Sequence, residues 1–99
     1  MVKQILFIGL LCISLETAGF AGDNFETDVV KTAGGKLEIT FIGHGTLMFT
    51  FGGKIIHVDP FSRLTDYSKL PQADMILLTH EHPDHLDLKA LDNLRADKT

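Results

Sequence analysis

The sequence predicts a mixed α/β fold, α+β in its order of elements, and three patterns predict it. Alternating apolar residues run through a hairpin pattern from Leu37 to Val58, an uninterrupted apolar run spans Met75 to Leu78, and leucines recur at helical spacing from Leu88 to Leu94. An antiparallel hairpin, a buried strand and a closing helix are the parts of a layered domain.

Each element has its own grounds. Residues 22–36 are polar and irregular and read as a linker or a first strand. Leu37-Glu38-Ile39-Thr40-Phe41-Ile42 alternates and is rich in β-branched and aromatic residues, so it reads as a strand. Gly43-His44-Gly45 breaks it, since both glycines are free to take positive φ. Thr46 to Phe51 reads as the next strand, with Leu47, Phe49 and Phe51 on one face, and Gly52-Gly53 as a two-residue hairpin turn. Lys54 to Val58 returns and ends at Asp59-Pro60, because proline cannot donate to a ladder. Phe61 to Gln72 reads as loop with a short helical turn. The four-residue run Met75–Leu78 fits a central strand buried on both faces. Asp87 is placed to cap a helix whose Leu88, Leu91 and Leu94 share a face.

Composition bounds the function classes. The chain has 99 residues, 44% hydrophobic and 22% charged, which suits one small globular domain. Its formal net charge of -4 leaves no basic footprint for nucleic acid. A single cysteine, Cys12, excludes an internal disulfide framework.

Residues 1–21 read as a signal peptide. Lys3 gives a short positive start, Ile5 to Leu15 is an uncharged apolar run, and Gly19-Phe20-Ala21 is a small-x-small cleavage site before Gly22. The run falls short of the roughly 20 apolar residues of a membrane span. The expectation is therefore export to a periplasmic or secreted location, with no stable membrane anchor after cleavage. Cys12, preceded by Leu11, makes a poor lipoprotein site and would leave with the signal.

Chemistry concentrates in Thr79-His80-Glu81-His82-Pro83-Asp84-His85, which holds three of the five histidines. In extended backbone His80 and His82 point to one side, Cα atoms roughly 6.5 Å apart, so two ring nitrogens can converge on one cation. Glu81 points the other way. Pro83 turns the chain and brings Asp84 and His85 round beside the first pair. Imidazole with carboxylate suits zinc, and iron or manganese can use the same donors.

This His-x-His-x-Asp-His run after a short apolar strand resembles the signature of the metallo-β-lactamase superfamily. Gly43-His44-Gly45, the Gly52-Gly53 hairpin and the strand ending in Asp59-Pro60-Phe61 resemble its branch of ascorbate-6-phosphate lactonase-like and phospholipase D-like hydrolases. The resemblance spans about Leu37 to Leu94. It implies the N-terminal half of an αββα sandwich, with residues 37–99 as a partial domain. It also implies two zinc ions in the complete domain, the first held by His80 and His82 and the second by Asp84 and His85. Asp84 would in addition act as the catalytic residue that orients the attacking water. Metal coordination brings the pKa of that water towards 7, so hydroxide is available for a lactone, ester, amide or phosphodiester. Related diiron oxygen-reducing proteins carry glutamate where this chain has His82, so the histidine favours hydrolysis.

By the same resemblance Asp59 supports the site from behind, fixing the tautomer of a ligand imidazole. A turn aspartate before proline is the alternative. His44 either approaches the site or substrate or is a plain turn residue. His57, within a strand, reads as a hydrogen-bonded packing residue. No position is identified as substrate-binding.

The family domain normally runs to about 200 residues or more and takes further ligands from its second half. This chain has no histidine after His85, so a truncated or partial hydrolase of a small-molecule substrate is expected. A non-catalytic zinc-binding fragment or interaction module is the alternative, and a nuclease branch fits the acidic balance poorly. A half-sandwich also implies a homo-oligomer or a partner chain.

Overall fold

A computed structural model describes residues 24–99; the signal-peptide segment lies outside them. One five-stranded sheet, ordered β1-β2-β3-β4-β5, forms the frame. Its strands are β1 Glu26–Thr32, β2 Gly35–Gly43, β3 Thr46–Phe51, β4 Lys54–Val58 and β5 Met75–Leu77, followed by helix α1 Leu88–Leu94. The segment 22–36 thus holds a strand, paired antiparallel to β2 from Glu26↔Phe41 to Thr32↔Gly35. All seven of its residues are exposed, which is why no burial pattern marks it in the sequence.

The β3–β4 turn carries Gly52 at φ 56 and Gly53 at φ 75, the two positive angles that match strand twist in a two-residue hairpin. A parallel β4–β5 pair needs a long crossover, and residues 59–74 provide it, including a 3-10 turn at Tyr67–Lys69. Asp87 caps α1 through Lys89 N and Ala90 N, and its other oxygen accepts from Ser62 N and Oγ at 2.8 and 2.6 Å. Burial works to raise the Asp87 pKa, but these hydrogen bonds outweigh it and the net shift is downward.

Register divides the sheet into two faces. The row Thr40–Met48–His57–Ile76 crosses four strands on one face. There Met48 packs with Ile42, Tyr67, Leu70, Ala73, Ala90 and Leu94, so α1 and the crossover cover that side. The opposite face aligns Leu37, Ile39 and Phe41 with Leu47, Phe49 and Phe51, then Ile56 and Val58, then Met75 and Leu77. Every one of these is half-buried or exposed. The described residues therefore build one α layer and one sheet, with an apolar surface where a second sheet would lie in an αββα sandwich.

Met75–Leu78 was expected to be a central strand buried on both faces. Among the described strands β5 is an edge, and Met75, Leu77 and Leu78 are 49%, 48% and 42% exposed. The run is apolar enough for burial on two sides, but only Ile76 meets a covering layer.

His57 is fully buried, with Nε2 at 3.0 Å from Pro71 O and, among the described residues, no partner at Nδ1. Nε2–H therefore donates and Nδ1 keeps a bare lone pair. Burial pushes the ring below its ordinary 6.5, against the opposing effect of the Pro71 bond. The unfolded chain takes a proton near 6.5 while the folded ring resists, so stability is full above that pH and declines below it. His57→Gln, which keeps a donor for Pro71 O and does not titrate, is expected to flatten the decline just below pH 6.5. Thermal melts of both proteins across pH check this, and equal slopes contradict it.

Candidate metal centre

Residues His80 to His85 form a loop beyond the end of β5, at the sheet edge where layered α/β folds place ligands. The turn expected at Pro83 is present: His85 N and Leu86 N both donate to His82 O at 2.8 Å. It brings the motif side chains together. His80 Nε2 lies 3.0 Å from His82 Nδ1, and their rings meet edge-on at 4.5 Å between centroids. One donor atom from each of His80, His82 and Asp84 lies within 4.8 Å of the others. Tetrahedral coordination at about 2.0–2.1 Å would set two donors about 3.3 Å apart, so the imidazole pair is already near the spacing a cation requires. Glu81 belongs to neither candidate group.

A second group joins His44, Asp84 and His85, again with donors within 4.8 Å. His44 Nε2 reaches Asp84 Oδ2 at 2.8 Å, and His85 Nε2 stands 3.4 Å from the same oxygen. The bond from His44 chiefly holds the Asp84 carboxyl below its usual range. Asp84 is thus common to both groups. His44 takes φ 50, a left-handed conformation uncommon for a residue with Cβ, and the turn between glycines points its ring into the site.

Asp59 sits behind the cluster, buried and also left-handed at φ 46. Its backbone is pinned on both sides, by Asp59 N to Leu77 O at 2.9 Å and by Thr46 Oγ1 to Asp59 O at 2.6 Å. Its carboxylate accepts from Thr79 N at 2.7 Å, Thr79 Oγ1 at 2.6 Å and His85 Nδ1 at 2.7 Å. Burial alone would raise the Asp59 pKa; the bonds from Thr79 and His85 reverse that and leave it lowered. With Nδ1–H given to Asp59, His85 keeps its Nε2 lone pair on the side of Asp84. Thr79 Oγ1 spends its proton on Asp59, so the 2.9 Å contact to His80 Nδ1 requires His80 to donate there. His80 then also presents a bare Nε2. Two ligand-type nitrogens are oriented by one buried carboxylate and one threonine, the arrangement found behind metal-binding histidines.

Gly45 completes the packing, because a Cβ there would stand 3.1 Å from His85 Cε1. Sequence reasoning left the His44–Asp84 bond open and did not single out Thr79. The first joins residues 40 apart and carries no local signal. The second could have been suspected from its place immediately before the motif. Asp59→Asn is expected to weaken metal affinity about 10–100-fold by loosening His85, with titration of a divalent cation as the check. Unchanged affinity would assign Asp59 to the turn alone.

The model of the β-lactamase superfamily domain matches residues 38–96. A UPF0173 metal-dependent hydrolase of Flavobacterium johnsoniae is 45% identical over 62 residues, covering 56% of this chain and 27% of that protein. One from Thermodesulfovibrio yellowstonii is 34% identical over 95 residues, covering 86% of this chain and 29% of its own length. The crystal structure of a proposed metal-dependent hydrolase from Parabacteroides distasonis superposes with a TM-score of 0.74 at 49% identity, over 77% of this chain and 35% of that one. The chain therefore spans only about a quarter to a third of the relatives it matches, and its sheet with one helical layer is half of their metallo-β-lactamase fold. With the family model covering more than half of its residues, this chain belongs to the β-lactamase superfamily.

Proposed function

We propose that the chain supplies the metal-holding half of a zinc-dependent hydrolase acting on a lactone, ester, amide or phosphodiester bond of a small molecule. The observation that carries this is the three-donor group of His80, His82 and Asp84. Two imidazoles and a carboxylate are ligand types that catalytic zinc sites use. Asp84 and His85 serve a second cation, with His44 beside them. A bound divalent cation supplies Lewis acidity there, bringing the pKa of a water towards 7 and polarising the scissile group.

The side chains have distinct work. Asp84, held below its usual range chiefly by the hydrogen bond from His44, would orient the water. Asp59 fixes the His85 tautomer, and Thr79 links Asp59 to His80. Grafting residues 38–96 in place of the matching segment of the Flavobacterium johnsoniae relative tests the reading. The chimera is expected to keep that protein's chelator-sensitive hydrolysis and to lose it with Asp84→Ala. A folded chimera without activity, beside an active parent, contradicts it.

Export and association belong to the same reading. Lys3, the apolar run Ile5–Leu15 and the small residues Gly19 and Ala21 support a signal peptide, so a mature N-terminus near Gly22 is expected. Met1 retained on soluble exported protein contradicts this. The apolar sheet face supports cover by another layer, from a second copy or a partner chain.

A further inference from the structure

The loop Ser62–Asp66, the 3-10 turn and α1 enclose an open groove of about 430 Å³ outside the histidine cluster. That volume lies within the roughly 300–1,000 Å³ of small-molecule sites. Arg63, Lys69 and Lys89 stand on its walls, with Asn93 between them. None of the three cations takes part in an ion pair among the described residues, whereas Lys54 and Lys98 both reach Asp74. The one carboxylate on the lining, Asp66, is engaged by Ser68 N at 3.0 Å and Ser68 Oγ at 2.6 Å. Lys69 and Lys89 also attract the Asp66 carboxylate, so three cations against one acid on the lining leave a net positive depression on a chain of net charge -4.

We propose that this groove binds the oxyanion group, phosphate or carboxylate, of a small organic anion. Arg63 offers a planar fork suited to two oxygens at once, and Lys69 and Lys89 add point charges. Asn93 gives one amide hydrogen to Lys89 O at 3.1 Å and keeps a second for a ligand. The groove's frame is rigid where it matters, since Ser62 is tied to Asp87 at the start of α1. Leu64, also on its wall, lies close to Gly43, next to His44. Anion binding here uses none of the metal-centre donors and stands whether or not that centre is hydrolytic.

Equilibrium dialysis of the full chain against labelled inorganic phosphate and, in a second arm, acetate tests this, with chelator present throughout. Saturable binding is expected, and the tighter of the two anions assigns the group. The triple variant Arg63→Gln, Lys69→Gln, Lys89→Gln is expected to weaken it at least about tenfold. All three residues are exposed, so the variant's circular dichroism is expected to match the parent. A charge-matched variant, Lys31→Gln, Lys36→Gln, Arg95→Gln, and the His80→Ala, His82→Ala protein are expected to bind as the parent does. The proposal is overturned by no saturable binding of either anion, by equal loss in both charge variants, or by loss in the histidine variant.

Discussion

Replacing His80 and His82 together by alanine removes metal binding at the first candidate group. Two of its three donors go, and only the half-buried Asp84, which it shares with His44 and His85, remains. In a protein with the remaining layers, hydrolysis falls to background, because the water is no longer acidified or held. Elemental analysis of the parent and double variant after equal zinc loading reads the effect. The parent is expected to hold one zinc per chain, weakly, since each group offers three donors and both draw on Asp84. The double variant, left with His44, Asp84 and His85 as its one complete group among the described residues, is expected to hold less zinc than the parent at equal loading. Equal zinc in both would place the metal elsewhere.

The apolar sheet face gives the second large effect. With strands about 4.8 Å apart and residues about 3.3 Å apart, it covers several hundred Å², at the upper end of what monomers expose. Val30, Phe41, Phe51, Met75 and Leu77 on it are each at least 38% exposed. The 99-residue chain is expected to self-associate or to fold stably only against another layer. Phe49→Lys with Leu77→Lys, placed on that face, is expected to shift the chain towards lower mass in light scattering. A monodisperse parent monomer with a sharp reversible melt contradicts the expectation.

The hairpin was the most legible part of the sequence, since Gly52-Gly53 marks a turn that only positive φ can make and alternation on either side sets its register. α1 was legible too, from Asp87 and the leucine spacing. β1 was only half legible, because Glu26–Thr32 is exposed along its whole length and shows no burial period. β5 misled for the opposite reason: Met75–Leu78 is composed for burial on two sides, and the described residues cover one. Local spacing was enough to gather His80, His82, Asp84 and His85. It could not reveal that His44 meets Asp84, because a bond across 40 residues depends on how the β2–β3 turn is held.

The central claim is that imidazoles from His80 and His82 and the carboxylate of Asp84 together hold a cation. X-ray absorption spectroscopy of the zinc-loaded chain tests it most directly and does not require a monomer. Two imidazole nitrogens and carboxylate oxygen at about 2.0–2.2 Å are expected in a His44→Ala, His85→Ala protein, with the imidazole signal lost when His80 and His82 are replaced there too. An all-oxygen shell around the zinc, or an imidazole signal that survives that further replacement, would contradict the account.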